Sequence, residues 1–317
     1  TDIGYCPMRY SLRQLEVFLA TAQHENVTRA AASLAMSQSA ASGSLRDLEQ
    51  QFGVQLFDRV GKRLQLSELG RQLRPQAENL LARARALEQS LAGEAVSGRL
   101  ALGATLTIGN YLAVGMIADF RRRHPGADVA LSVANTETIA RRVRQFELDL
   151  GLVEGELHDP DLEVLHWRPD ELQVFAAPDH PLVGRGPLED EALLGLDWIV
   201  REPGSGTRQT FDRAMRGILG DLSIAMELQH TEAIKRAVEA GLGVGCLSRI
   251  ALVEAFARGS LVQLPVAGRD FSRELYIIVR RDKFRSGALR QWLELCLGPW
   301  RERSAGGGSR TGGQTQD

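Results

Sequence analysis

The chain has 317 residues, of which 44% are hydrophobic and 25% are charged. This length suggests two or three domains, and the composition excludes bulk disorder and a fibrous fold. The chain carries 38 basic and 40 acidic residues, which gives a net charge of −2. That balance excludes a uniformly basic coat protein for nucleic acids but allows a local basic patch.

The three cysteines, Cys6, Cys246 and Cys296, are far apart and show no paired spacing. They therefore predict neither a disulfide framework nor a metal site, and with the histidines also scattered we expect no metal and no other cofactor. No stretch of 18 apolar residues occurs, and residues 1–10 lack the apolar core of a signal peptide. We therefore expect a cytoplasmic protein with no membrane contact. Met8 is a candidate native start, which would make residues 1–7 an extension.

Residues 8–66 show the pattern of short helices followed by a hairpin. A capping box at Ser11 predicts the start of a first helix, and Thr28 predicts the N-cap of a second. A third helix is expected to begin after Ser37 as its N-cap and to stop at Gly53. Its predicted inner face consists of Ala41, Leu45, Leu48 and Phe52.

The outer face of the third predicted helix is small and polar at its N-terminal end. It carries Gln38, Ser39, Ser42, Gly43 and Arg46. Small residues allow close approach to a DNA groove, while glutamine and arginine reach base edges and phosphates. The spacing from residue 28 to residue 48 is that of a helix-turn-helix, although on periodicity alone an ordinary helical hairpin fits equally well.

A basic hairpin is predicted between Val54 and Leu66, where two short apolar runs flank Gly61. Its basic residues are Arg59, Lys62 and Arg63. A solvated charged turn is the alternative interpretation. A basic wing that directly follows a helix-turn-helix favours contact with DNA phosphates.

One family resemblance is carried by Leu15-Glu16-Val17-Phe18, Thr28-Arg29-Ala30-Ala31, Leu34, Ser37-Gln38, Ala40, Ser42, Leu45, Leu48-Glu49, Gly53-Val54, Leu56-Phe57, Arg59 and Gly70. Their order and density resemble the DNA-binding domain of LysR-type transcriptional regulators. Ser39 stands where that family often has proline, and Gly43 where it often has arginine. The residues expected to contact DNA are Thr28, Arg29, Ser37, Gln38, Ser39, Ser42, Arg46, Arg59, Lys62 and Arg63.

The resemblance implies an α/β protein with a winged helix-turn-helix, a linker helix and a two-lobed effector domain like that of periplasmic binding proteins. It also implies a bacterial homodimer or homotetramer that binds double-stranded promoter DNA, with RNA polymerase as a further possible partner. The predicted domains are residues 8–66, 67–92 and 99–300. The tail, 304–317, should be disordered, because from Gly306 onward it is rich in Gly, Ser, Thr and Gln and has no apolar residue to bury.

The linker itself shows a heptad pattern. Leu73, Ala77, Leu80, Ala84, Leu87 and Leu91 follow a 4-3-4-3-4 spacing. Charged residues outside this narrow seam favour pairing with a second copy of the chain, which would place two recognition helices on one dyad-symmetric DNA site. An amphipathic helix that packs within its own chain is the alternative.

From residue 99 onward, apolar strands alternate with amphipathic helices. A βαβαβ pattern up to residue 153 predicts a parallel sheet, a second lobe follows, and residues 275–297 are expected to return to the first lobe. Such lobes resemble periplasmic binding proteins, with the ligand between them at the carboxyl ends of strands.

Two strand-to-helix loops, 103–109 and 202–208, are candidate anion sites, because free amides, hydroxyls and helix dipoles all favour an anion. The expected effector-binding residues are Thr105, Leu106, Thr107, Asn135, Thr136, Ser205, Gly206, Thr207, Arg208 and Thr231. Helix caps without a ligand are the alternative. The second loop resembles the family branch linked to sulfur and carbon assimilation, which implies a small oxyanion such as sulfate or sulfite, or a phosphorylated metabolite.

The leading functional hypothesis is a ligand-responsive regulator of transcription. An enzyme or a transport-type binding protein on the two-lobed fold is the alternative. An enzyme would need a convergent set of acid and base residues, and a transport protein a signal peptide. The sequence shows neither a convergent set of acid and base residues nor a signal peptide. We therefore expect no enzymatic activity and no transport role.

Overall fold

The computed structural model describes residues 8–61, 63–91 and 98–298. The predictions for residues 1–7, Lys62 and the 304–317 tail lie outside the described residues.

The N-terminal part begins with three helices, α1 (Leu12–His24), α2 (Val27–Ser33) and α3 (Gln38–Phe52). The predicted capping box is confirmed: Ser11 Oγ accepts from Gln14 N at 3.2 Å, and Ser11 N donates to Gln14 Oε1 at 2.8 Å. The predicted bounds of α3 are also confirmed, because Ser37 Oγ accepts from Ala40 N and Gly53 ends the helix at a φ of 63°.

Two local predictions about these helices are wrong. Asn26, not Thr28, caps α2: its Oδ1 accepts from Arg29 N at 3.0 Å, so Thr28 is already the second helical residue. Phe52 is 44% exposed, because as the last residue of α3 it lies beside the Tyr10 ring at the edge of the bundle. The core contains Val17, Phe18, Ala31, Ala41, Leu45 and Leu48.

The predicted wing is an antiparallel hairpin of β1 (Phe57–Val60) and β2 (Arg63–Leu66). Leu64 N donates to Glu25 O at 2.9 Å and so fixes the hairpin to the turn after α1. A long helix, α4 (Glu68–Leu91), follows and spans about 36 Å at 1.5 Å per residue.

The first lobe contains the predicted parallel βαβαβ unit. Its strands are β3 (Gly98–Ala104), β4 (Ala127–Val133) and β5 (Leu150–Glu154). The connections are α5 (Leu106–Ile108), a π-helical turn (Gly109–Ala113) and α6 (Val114–Arg123), followed after β4 by α7 (Thr136–Arg144). Strand β6 (Leu162–Ala176) leaves this lobe and continues into the next one.

The second lobe is also α/β. Its elements are α8 (Asp190–Leu194), β7 (Asp197–Arg201), α9 (Gly206–Ala214), β8 (Ser223–Leu228), α10 (Thr231–Glu239), β9 (Val244–Ser248), α11 (Arg249–Arg258) and β10 (Val262–Gln263). β7 pairs in parallel with β8 and β9, and β9 pairs with the second half of β6.

The chain then returns to the first lobe, as predicted, through β11 (Ser272–Arg280) and α12 (Gly287–Leu297). β11 runs antiparallel to both β5 and β6, and Trp292 of α12 is buried in the core of the first lobe. Within the described residues the strand order is β4-β3-β5-β11-β6-β9-β7-β8, so β6 and β11 join the two lobes.

Candidate functional sites

The N-terminal end of α3 is an exposed polar surface. Ser37, Gln38, Ser39 and Arg46 are exposed, and Ser42 is half-buried. Side chains in the first turn are short apart from Gln38, so another molecule can approach the helix closely. This arrangement suits insertion of α3 into a DNA groove.

The other residues predicted to contact DNA flank this surface. Thr28 and Arg29 of α2 are exposed, as is Arg59 of β1. Arg63 Nη1 lies 3.6 Å from Glu25 Oε2, but both side chains are more than 40% exposed, so the pair is weak and leaves Arg63 accessible to a phosphate.

Only part of the predicted linker seam is exposed. Ala77 is buried and Leu73 partly buried against the core of the helix-turn-helix, because α4 turns this side toward α1. Leu81, which the heptad pattern omitted, is also buried. Farther along the seam, Leu80 and Ala84 are half-buried, whereas Leu87 and Leu91 are 61% and 79% exposed.

Glu154, the last residue of β5, lies where the two lobes meet. Thr107 of the first lobe and Thr207 of the second each donate from Oγ1 to Glu154 Oε1 at 3.3 Å. Thr136 Oγ1 donates to the main-chain oxygen of Glu154 at 2.8 Å. Gly206 packs so closely here that an added Cβ would lie 1.9 Å from that oxygen. The hydroxyls of these three threonines therefore bind the protein itself.

Three other predicted hydroxyls at the same junction have no partner within the described residues. Thr105, Ser205 and Thr231 are 2%, 4% and 1% exposed, and the Oγ atom of each lacks a hydrogen bond. Thr105 lies two residues before Thr107, and Ser205 directly precedes Gly206. Thr231 directly precedes Glu232, which accepts a hydrogen bond from Tyr111 of the first lobe. Buried polar atoms are rarely left unsatisfied, so the three hydroxyls need an explanation.

The first turns of α9 and α10 are also uncapped. The N-cap side chains, Ser205 and His230, make no capping hydrogen bond. The main-chain amides in the first turns of α9 and α10, together with the positive ends of these helix dipoles, can therefore bind an anion. Asn135 differs, because its Oδ1 caps α7 and its Nδ2 donates to Glu202 Oε1 at 3.3 Å across the lobes. Leu106 is buried.

Sequence reasoning missed a buried charge cluster at this junction. Arg201 Nε and Nη2 donate to Glu202 at 2.8 and 2.9 Å, and Arg201 Nη1 is buried without a partner in the described chain. Arg273 Nε donates to Asp170 Oδ2 at 2.7 Å, and Arg273 Nη2 lies 3.5 Å from Glu154 Oε2. Two guanidinium groups thus face three carboxyl groups. Asp170 and Arg273 are 103 positions apart, so no local pattern could have paired them.

Arg208, which the sequence places in the effector loop, is paired with neighbouring acceptors. Its Nε donates to Asp212 at 2.8 Å, and its Nη1 donates to Glu227 at 3.1 Å and to the Arg201 main-chain oxygen at 3.0 Å. These acceptors hold the guanidinium along α9 and β8, so it adds no free charge for an effector.

Residues 8–61, 63–91 and 98–298 contain neither a membrane-spanning helix nor a cluster of metal-binding side chains. No helix in these ranges is long and apolar enough to cross a membrane. No group of three or more histidine, cysteine, aspartate or glutamate residues in them could hold a metal ion.

The chain matches known proteins over nearly its whole length. Residues 12–71 match the family described as "Bacterial regulatory helix-turn-helix protein, lysR family", and residues 93–300 match the "LysR substrate binding domain". It is 43% identical over 289 residues, 91% of this chain and 98% of the other, to the "Uncharacterized HTH-type transcriptional regulator YeiE" of Escherichia coli K12.

Two further matches extend this picture. The chain is 34% identical to the RuBisCO operon transcriptional regulator of Allochromatium vinosum, over 92% of this chain and 96% of that one. The solved regulatory domain of CcmR from Synechocystis PCC6803, in complex with 2-PG, is 31% identical, with a TM-score of 0.59 over 63% of this chain and 96% of that one. The helix-turn-helix, the two-lobed domain and these matches together show that the chain belongs to the LysR family of transcriptional regulators.

Proposed function

We propose that this chain is a sequence-specific regulator of transcription, not an enzyme, and that a small anion bound between its lobes modulates its activity. The exposed end of α3 and the wing are the elements that contact promoter DNA. The observation that carries the effector site is the set of three buried hydroxyls, on Thr105, Ser205 and Thr231, that lack a partner among the described residues.

The donors at the junction define the chemistry of the effector. Three hydroxyls and Arg201 Nη1 are hydrogen-bond donors without a partner in the described chain, and the first turns of α9 and α10 have no side-chain cap. The nearby carboxyl groups offset the charges of Arg201 and Arg273. Neutral donors therefore supply most of the free energy of anion binding. Such a site suits a compact oxyanion such as sulfate or sulfite. A phosphorylated metabolite is the second candidate, supported by 2-PG in the related CcmR domain.

The same proposal covers assembly and partners. Two copies joined along α4 form a homodimer, and two dimers form a homotetramer on promoter DNA, where the regulator contacts RNA polymerase. The similarity to a RuBisCO operon regulator supports a place in the branch of the family linked to carbon and sulfur assimilation. Closure of the lobes around the anion changes the angle between DNA-binding domains.

The test of the effector site replaces an unpartnered hydroxyl by a methyl group. Thr105→Val removes a buried polar atom that has no partner in the described protein, so the free protein should melt at the same or a higher temperature. The variant should bind the anion about tenfold or more weakly, since a hydrogen bond to a charged group contributes ~1.5–3 kcal/mol. Calorimetric titration with sulfate, sulfite, inorganic phosphate and 2-PG measures the affinities.

Thr136→Val is the matched control, because the Thr136 hydroxyl already binds Glu154 O at 2.8 Å. It should lower the melting temperature and leave the anion affinity within about twofold of wild type. If an anion bound wild type and Thr105→Val equally well, its binding site would lie elsewhere in the protein. Failure of all four anions to bind wild type would contradict the anionic effector.

A further inference from the structure

A contact between the lobes is made at the edge of their junction by Tyr111. Tyr111 is the central residue of the π-helical turn in the first lobe, and its Oη donates to Glu232 at the start of α10 in the second. Lys235, one turn along α10, donates from Nζ to Tyr111 Oη at 3.1 Å and lies 5.5 Å from the centroid of the Tyr111 ring.

The Lys235 ammonium depends on this contact. The side chain is only 8% exposed, and its three acceptors are Tyr111 Oη, Glu232 Oε1 at 2.6 Å and the Ala251 main-chain oxygen at 3.2 Å. An ammonium group has three N–H donors, so all are used, and one acceptor comes from the other lobe. Separation of the lobes removes that acceptor from a buried charged donor, which favours the closed arrangement.

The location of this contact links it to the proposed cleft. Glu232 directly follows Thr231, one of the three hydroxyls without a described partner, and its own side chain is 57% exposed, which places the contact at the rim. A π-helical turn is rare and is often found at functional sites. Here it carries the side chain that crosses to the second lobe.

We propose that Tyr111, Glu232 and Lys235 form a latch across the rim of the junction that holds the lobes closed, and that this latch opens when a ligand enters or leaves. The role in ligand exchange rests on the function proposed above, whereas the effect on lobe opening does not.

The latch is tested by hydrogen exchange of the full chain without any ligand. Glu137 N donates to Gly204 O across the lobes at 3.2 Å, so the exchange rate of the Glu137 amide reports separation of the lobes. Tyr111→Phe keeps the ring and removes the hydroxyl, and should raise this rate about tenfold. Tyr276→Phe is the matched control on β11, where the ring lies beside His166, and should leave the rate unchanged.

Two results would overturn the latch. One is an unchanged Glu137 rate in Tyr111→Phe. The other is faster exchange confined to residues 109–113 and 231–235, which is the result expected if the contact stabilises only its own neighbourhood. Because no ligand is present, neither result depends on whether the proposed effector is correct.

A double-mutant comparison tests whether the partners act together. Tyr111→Phe and Glu232→Ala should each raise the Glu137 rate, and the double variant should exchange more slowly than the product of the two single effects predicts, since both changes remove the hydrogen bond between Tyr111 and Glu232. Effects that multiply in the double variant would show that Tyr111 and Glu232 act separately and would contradict the latch.

Discussion

At the scale of single residues, the proposed DNA-binding surface offers side chains suited to two different roles. Gln38 projects from the first turn of α3, whereas Arg59 projects from the wing, and both are exposed. A side chain on a helix in the major groove reads base edges, while a basic wing contacts phosphates that are the same in every sequence.

These two roles predict different effects on DNA binding. Gln38→Ala should weaken binding to the specific site by ~1–3 kcal/mol and leave non-specific binding nearly unchanged. Arg59→Ala should weaken binding to every sequence to a similar extent and reduce the salt dependence by about one ion. Gel shifts at several salt concentrations, with DNA from upstream of the protein's own gene and with scrambled DNA, measure the affinities and their salt dependence. Parallel losses in the two variants would mean that the roles are wrongly assigned.

The same scale shows the limit of sequence reasoning about the cleft. Loop 202–208 could be recognised as a candidate anion site from its hydroxyls and its position before a helix. The pairing of Arg208 with Glu227 could not be recognised, because Glu227 lies 19 positions away on β8. Arg201 could not be singled out, since its burial and its unpartnered Nη1 depend on packing that no local pattern shows.

At the scale of elements, the caps at Ser11 and Ser37 and the stop at Gly53 were predictable, whereas the first half of β6 was not. Ser11, Ser37 and Gly53 set helix ends through hydrogen bonds within four residues, so a local pattern is sufficient. The first half of β6 escaped prediction because Pro169 and several charged residues interrupt its apolar pattern. Pairing with β11 holds that half in the sheet, and this information comes from residues about 100 positions later.

A close approach between elements gives a stability prediction. A Cβ added at Gly70 in the first turn of α4 would lie 2.2 Å from the main-chain oxygen of Leu56. Gly70→Ala must therefore push α4 away from the wing and should lower the free energy of unfolding by ~1–3 kcal/mol. Chemical denaturation measures the change.

Gly43→Ala is the control, because no atom lies within 4 Å of its added Cβ and the residue is in the interior of α3. This change should stabilise the helix by ~1 kcal/mol. Equal effects of the two substitutions would show that the contact between Gly70 and Leu56 is not important for stability.

At the scale of the whole molecule, α4 joins the DNA-binding part to the first lobe. Asn79 donates to the main-chain oxygen of Asp282, and its Oδ1 accepts from Phe284 N at 2.5 Å. The Arg83 guanidinium lies 5.5 Å from the centroid of the Phe284 ring. Burial at this contact raises the pKa of Glu78. A cavity of about 580 Å³ lies beside this contact and is lined by residues of α1, α4 and the first lobe.

The exposed end of α4 predicts how copies of the chain assemble. Leu87 and Leu91 lie on the predicted seam and are 61% and 79% exposed in the single chain, which leaves apolar surface for a second copy. Replacing both by aspartate would place unpaired charges in that interface. Sedimentation should then show a smaller species that no longer binds operator DNA.

The folded single chain should tolerate this change, because substitutions at exposed positions usually alter stability by no more than ~0.5 kcal/mol. The melting temperature of the first and second lobes should therefore stay the same. Gln72→Asp with Gln76→Asp adds the same charge at exposed polar positions of α4 and should leave the oligomer intact. An unchanged oligomer in the Leu87→Asp, Leu91→Asp variant would mean that the copies associate through another surface.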